Sequence, residues 1–283
     1  MMKIALGSVQ FGIQYGINNQ TGIPSDTQVS EILGVAESNH IRLIDTASAY
    51  GNAEERLGNL SGGKFAFVSK FQAVHTTADL ENACYASLSH LKVDSFYGYM
   101  AHQANFILQQ PDTWKVLEDL KQQGKIQKIG YSLYYPDQLK QLLDLNCIPD
   151  IVQLPYSILD RKFEQSLLDL ASLQTEVHVR SVFLQGLYLM NPKKLPERLS
   201  PLSIAIEQLH RICDKYQIQM AAMVLSFAVH HQGIGKVVMG VDTANQLKQN
   251  IDAILPFALM EEVREDILDI TVTQPELLNP ANW

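Results

Sequence analysis

Cysteine is scarce in this 283-residue chain: Cys84, Cys147 and Cys213 are odd in number, far apart and without CxxC spacing. A disulfide framework and a cysteine zinc site are therefore unsupported, and a reducing cytoplasm is the expected compartment. The histidines form no HExxH pair, and the adjacent His230 and His231 read as a helix end that complements the dipole, so no metal is expected. No apolar run approaches the roughly 20 residues of a membrane helix. The longest, Met220 to Val229, is interrupted by Ser226. The opening MMKIALGSVQ lacks an apolar stretch of signal-peptide length. Basic residues are in deficit, with 22 Lys plus Arg against 30 Asp plus Glu and a net charge of -8. That balance speaks against nucleic acid as a partner, which needs a basic face. Phosphate signatures are also missing. Gly7, Gly12 and Gly16 do not spell GxGxxG, and GNLSGGKF carries Phe65 where a P-loop requires Ser or Thr. GYSLY, from Gly130, lacks the second glycine of a nucleophile elbow.

What the chain does have is 46% apolar residues in short runs that change period from end to end. Eight strand-like runs are predicted: Lys3 to Leu6, Ile41 to Asp45, Phe65 to Ser69, Ser95 to Met100, Ile126 to Tyr131, Asp150 to Leu154, Val177 to Val182 and Lys236 to Gly240. Between them lie helical patterns. Val29, Ile32, Leu33 and Ala36 share a face behind a Ser25/Gln28 capping box, and Asn52 with Glu55 gives a similar signal. Leu80, Cys84, Ser87, Leu88 and Leu91 share another face, which places Cys84 in a core. Gly124 is expected to close one helix and Pro136 to open the next. No linker or composition shift divides residues 1–283. Eight β-α units in series imply a single-domain α/β fold, a parallel (β/α)8 TIM barrel.

In such a barrel, chemistry sits at the C-terminal ends of the strands. The predicted ends place Asp45, Tyr50, Lys70 and His102 on three neighbouring strands. Singly, each reads as an ordinary loop residue; together they form an acid-base cluster. A phenol, with a pKa near about 10, gives up its proton readily only if a cation stabilises the phenolate. Lys70 would do this, Asp45 would hold Lys70, and His102 would orient a carbonyl oxygen. The set suits protonating an oxygen on which negative charge develops, as in carbonyl reduction.

These residues lie in segments, GSVQFG, IDTASAYGNAEERLG, SK at Ser69–Lys70, AHQ at 101–103, LEDLKQQGKIQKIGYS and QLPYSILDR, that resemble the aldo-keto reductase superfamily in family order over nearly the whole chain. The resemblance implies an NAD(P)H-dependent oxidoreductase acting on a small-molecule carbonyl. Tyr50 would be the general acid, Asp45 and Lys70 its tuning pair, and His102 the substrate orienter. It further implies that Ser132 and Gln153 hold the nicotinamide carboxamide. Ser181, Gln185, Gly186 and Leu187 would form the pyrophosphate loop. Gly240, Val241, Asp242, Thr243, Gln246, Gln249 and Asn250 would surround the adenosine end.

Three positions depart from the family pattern. Leu133 replaces an asparagine, Arg180 stands where many members stack a tyrosine on the nicotinamide, and Asp242 occupies the place of a basic residue that holds a 2'-phosphate. Arg180 can still stack through its guanidinium plane. Asp242 leaves NADPH and NADH both open, with Lys248 as a second candidate for the 2'-phosphate. Arg180, Tyr134, Tyr15 and Phe106 are expected around the substrate. The short length resembles a bacterial subgroup associated with cell-surface polysaccharides, which points to a sugar-derived carbonyl. Two other readings stay open: a Schiff-base lyase or aldolase using Lys70, and a cofactor-binding sensor or partner subunit with negligible turnover. Nothing in the sequence sets the oligomeric state.

Overall fold

A computed structural model describes residues 2–17, 19 and 22–283 of the chain. Eight strands close a parallel barrel in sequence order. They are β1 (Ile4–Gly7), β2 (Leu43–Asp45), β3 (Ala66–Phe71), β4 (Phe96–Ala101), β5 (Ile126–Ser132), β6 (Ile151–Pro155), β7 (Glu176–Arg180) and β8 (Lys236–Gly240). β1 closes the ring by pairing with both β2 and β8, with Gly7 opposite Asp45 on one side and Gly240 on the other. This is the expected (β/α)8 TIM barrel. No helix among the described residues is long and apolar enough to cross a membrane.

Local signals explain most of the elements. Ser25 and Gln28 form the reciprocal capping box that starts the Asp26–Ser38 helix, whose buried face is Val29, Ile32, Leu33 and Ala36. Pro136 occupies the first turn of the Pro136–Asp144 helix. Gly124, at φ +75°, follows the Asp112–Gln122 helix and lets the chain reverse there. Cys84 is buried on the Thr77–Leu91 helix, and burial pushes its thiol up to about 12, which suits a core residue. Asn52 differs from expectation: it sits at the N-cap of the Ala53–Leu60 helix without a side-chain cap bond.

The main core lies between the barrel and its helices, and a smaller cluster of Ala5, Leu43, Val68, Met100 and Ile151 plugs the interior. Two C-terminal strand ends shift by two residues against the sequence reading, and four others by one. β3 runs through Lys70 to Phe71, because Ser69, Lys70 and Phe71 pair with Tyr99, Met100 and Ala101 of β4. β7 stops at Arg180, and Ser181 turns out of the sheet at φ +64°. Both shifts set side chains at the C-terminal mouth.

Candidate active site

At that mouth Asp45 ends β2 and Lys70 lies one residue from the end of β3. Lys70 has no exposed surface, and its Nζ donates to Asp45 Oδ1 at 2.6 Å and to the Thr46 carbonyl at 2.9 Å. The other carboxylate oxygen of Asp45 accepts from Gln153 Nε2 at 2.7 Å. Burial pulls the Lys70 ammonium's pKa down, and the Asp45 carboxylate opposes that pull. A buried pair of this kind is held by mutual need, since removing either partner strands a charge in a dry site.

Tyr50 reaches the same place from the loop after β2. Its backbone N–H donates to the Ala47 carbonyl at 3.0 Å, and its own carbonyl accepts from Ala53. That carbonyl lies against Gly12, where an added β-carbon would stand 1.7 Å from it. Gly51 completes the crossing at φ +56°, a region that favours glycine. The helix that follows is fastened to β3, where buried Glu54 accepts from Ser69 Oγ at 2.5 Å. Glu54 thus connects the Tyr50 segment to the residue preceding Lys70, a link sequence reasoning missed.

The Tyr50 ring packs edge-on against His102 with centroids 5.7 Å apart, and Lys70 Nζ lies 5.3 Å from its centroid. Burial, helped by the Asp45 carboxylate, raises the Tyr50 phenol well above its ordinary value, while Arg180 draws it down. The phenol therefore stays protonated at rest, and the largest influence on it runs opposite to the easing expected from Lys70. Burial and the Lys70 charge lower His102 to about 4, so its imidazole is neutral near pH 7.

Over this cluster opens a cavity of about 410 Å³, a size suited to a small-molecule site. Asp45, Tyr50, His102 and Gln153 line one region of it. Arg180 at the end of β7 and Ser181, Gln185 and Gly186 after it supply one wall, and Gly240 at the end of β8 with Asp242, Gln246 and Asn250 after it another. Phe183 lies at φ -88° and ψ 1°, and Leu184, Gln185 and Gly186 all have positive φ. The Leu184 and Gly186 N–H groups of this turn donate to the Ser181 and Phe183 carbonyls at 2.8 and 2.9 Å, which holds the Gln185 side chain on the cavity wall. Gly240 leaves room for Gln10, whose amide would meet an added β-carbon at 2.5 Å, and Gln10 Oε1 is buried without a partner in the structure. A buried polar atom left open, together with the polar cavity lining of Ser181, Gln185, Gln246 and Asn250, fits a dinucleotide, so the residues present suit the expected cofactor.

Other expected positions stand elsewhere. Leu187 and Val241, expected in the pyrophosphate loop and at the adenosine end, do not line the cavity: both side chains are buried in the main apolar cluster, where their chemistry places them. Gln249 is exposed on the Ala244–Asp252 helix and does not line the cavity. Thr243 caps that helix by accepting from the Gln246 N–H, and Ser132 is buried beside Gln153 in the β5–β6 register. Lys248 pairs with Asp252 at 2.5 Å on the exposed helix face. Phe106 is buried edge-on against Phe71, whereas Tyr15 and Tyr134 do line the cavity. Ser8, Gln10 and Asn19 also line it and were missed. Asn19 Nδ2 donates to Asp242 Oδ1 at 3.2 Å across 223 positions of sequence, a contact no local signal announces.

Comparison with known proteins accords with this architecture. The NADH-specific methylglyoxal reductase of Escherichia coli (strain K12) is 28% identical over 187 residues, covering 60% of this chain and 57% of that protein. The pyridoxal 4-dehydrogenase of Microbacterium luteolum is 26% identical over 148 residues, covering 49% of this chain and 42% of that protein. The chain thus spans about half the length of these two curated relatives. An uncharacterized oxidoreductase of Bacillus subtilis (strain 168) is 26% identical over 91% of this chain and 84% of its own length. The fold is shared with an aldo-keto reductase from Bacillus halodurans in its holo form, with TM-score 0.76 and 21% identity over 96% of this chain and 94% of that one. The aldo/keto reductase family profile matches residues 3–270, nearly the whole barrel, and on that match the chain belongs to the aldo/keto reductase family.

Proposed function

We propose that this protein reduces an aldehyde or ketone to an alcohol, with Tyr50 delivering the proton. The observation that carries the proposal is the buried Lys70–Asp45 pair, closed at 2.6 Å, against which Tyr50 and His102 meet at one region of the cavity. A bound reduced nicotinamide dinucleotide supplies the hydride. The chain's own residues do the rest. Neutral His102 donates a hydrogen bond to the carbonyl oxygen and holds it toward the phenol. Tyr50 keeps its proton at rest and releases it as that oxygen turns negative, while the Lys70 and Arg180 charges stabilise the phenolate left behind.

Ser181, Gln185 and Gly186 would hold the pyrophosphate. Ser132 and the free oxygen of Gln153 would take the carboxamide, and Asp242, Gln246 and Asn250 the adenosine end. Asp242 favours NADH over NADPH: a carboxylate accepts from ribose hydroxyls and repels a 2'-phosphate. Lys248 pairs with Asp252 on the exposed face of the helix. The substrate class is a small carbonyl compound, sugar-derived carbonyls included. Lys70, fully buried and off the cavity wall, suits tuning better than Schiff-base formation.

The test is a fluorescence titration with NADH and NADPH, followed by an aldehyde and keto-sugar panel. Cofactor binding with turnover is expected. Binding without turnover on any substrate would favour the sensor reading, and no binding of either nucleotide overturns the proposal.

A further inference from the structure

Charge at the reaction end of the cavity is unevenly balanced. Asp45 is matched by Lys70, and His102, held at about 4, carries no charge near neutral pH. Asp242 stands beyond β8, bonded to Asn19. Arg180, at the end of β7, is different. Its guanidinium lies 4.4 Å over the Tyr134 ring and donates to the Leu133 carbonyl at 3.2 Å and to Ser181 Oγ at 3.3 Å. Among the described residues no carboxylate oxygen pairs with it within 4.0 Å. A guanidinium keeps its charge at any physiological pH and has five N–H donors, of which these bonds take two.

We propose that Arg180 is a substrate-reading residue and that the carbonyl compound reduced here carries an anionic group, with a carboxylate as the better match to the planar fork. The inference rests on the reductase reading and specifies its substrate class. Stacking on Tyr134 fixes the plane of the guanidinium, so the remaining N–H groups present a preset edge to a carboxylate. The Leu133 and Tyr134 contacts tie Arg180 toward the β5 side of the mouth. The Phe183–Gly186 turn lies further along the loop. Its charge also reaches the Tyr50 phenol and His102, the two groups that would hold the carbonyl oxygen. A substrate whose carbonyl and anion lie a few bonds apart can therefore engage both at once. The Asp160 carboxylate feels the Arg180 charge, but its Oδ2 is bonded to Lys162 at 2.6 Å, so the guanidinium keeps an unbonded edge for a substrate anion.

Two matched pairs of probes test this: pyruvate against methyl pyruvate, and glyceraldehyde 3-phosphate against glyceraldehyde. The quantity read is the ratio of kcat/KM within each pair, so a general change in cofactor affinity cancels. The wild type is expected to favour the anionic member by about tenfold or more, the scale of one charge-assisted contact. Arg180→Met should bring the ratio to about one, and Arg180→Lys, with the charge but not the fork, should fall between. A larger ratio for the pyruvate pair identifies the carboxylate; a larger one for the phosphate pair assigns the anion to a phosphate and overturns the carboxylate choice. Calorimetric binding of pyruvate and methyl pyruvate to the complex with oxidised cofactor provides a readout free of turnover. If neither compound pair is reduced while pyruvate still binds better through Arg180, the anion site stands and the reductase reading falls. A wild-type ratio at or below one in both pairs overturns the inference. So does an Arg180→Met variant that weakens cofactor binding yet leaves the ratio intact, because Arg180 would then serve the cofactor phosphates.

Discussion

The carbonyl of Tyr50 rests on the α-carbon of Gly12, so closely that a methyl group at residue 12 would lie 1.7 Å from the oxygen. The position of the proposed proton donor is therefore set by a residue on the short Val9–Gly12 helix that follows a different strand. Gly12→Ala must push the Tyr50 segment away. The expected result is a fall of several degrees in Tm, consistent with an overpacking cost of about 1–3 kcal/mol, together with a drop in kcat larger than the change in cofactor affinity. Thermal melts and steady-state rates on the same preparation check both. Unchanged Tm and rate would mean that the loop yields freely.

Tyr50→Phe keeps the ring that packs on His102 and removes the proton. Its rate of carbonyl reduction should fall by at least about 100-fold, the scale for a lost general acid. Cofactor titration should be unaltered. Wild-type single-turnover rates in this variant would remove Tyr50 from the mechanism.

Lys70 and Asp45 act as a pair, so their losses should not add. Lys70→Met leaves a buried carboxylate with Gln153 alone, and Asp45→Asn leaves a buried ammonium with the Thr46 carbonyl. Each is expected to cost about 3–5 kcal/mol of stability, the range for breaking a buried ion pair. The double variant should recover much of that. Urea unfolding of all four proteins yields the coupling energy, and strict additivity contradicts the linkage.

His102 titrates at about 4 in the folded protein against 6.5 as an ordinary imidazole. Its folded pKa is depressed, so between these values the unfolded chain binds a proton that the folded chain refuses. Stability contributed by neutral His102 is complete above pH 6.5 and declines as pH falls toward 4. His102→Gln should flatten that part of the stability-pH curve. Proton NMR of the His102 ring should show no titration near pH 6.5; an ordinary titration there would contradict the assigned burial.

Asp242 predicts the cofactor comparison. NADPH should not exceed NADH in affinity by more than about a hundredfold, and Asp242→Arg should improve NADPH binding by roughly ten- to hundredfold. Dissociation constants for both nucleotides in both proteins decide it. No gain from the arginine would mean that position 242 does not read the 2'-group.

Much of this protein is legible without coordinates, for a physical reason. Strand and helix periods are local, and eight alternations of the two leave a parallel barrel as the natural way to bury every apolar face. Once the barrel is inferred, strand ends become addresses, and Asp45 and His102 stand where a run of β residues stops. Lys70, expected beside Asp45, meets it although β3 extends past it, because an inward side chain near the last rung still reaches the neighbouring strand's end.

Tertiary structure decided what depends on partners distant in sequence. Leu187 and Val241 sit in segments that meet the cavity, yet their side chains turn into the core, because apolar burial outweighs their place in a loop pattern. The Gly12–Tyr50 crossing, the Glu54–Ser69 bond and the Asn19–Asp242 contact join neighbouring barrel units, the last across the β1–β8 seam. A sequence carries the residues for such contacts but no periodicity that announces them. They exist only because closing the barrel brings the first loop against the last, and that closure fixes which polar groups face the cavity and which are spent holding it together.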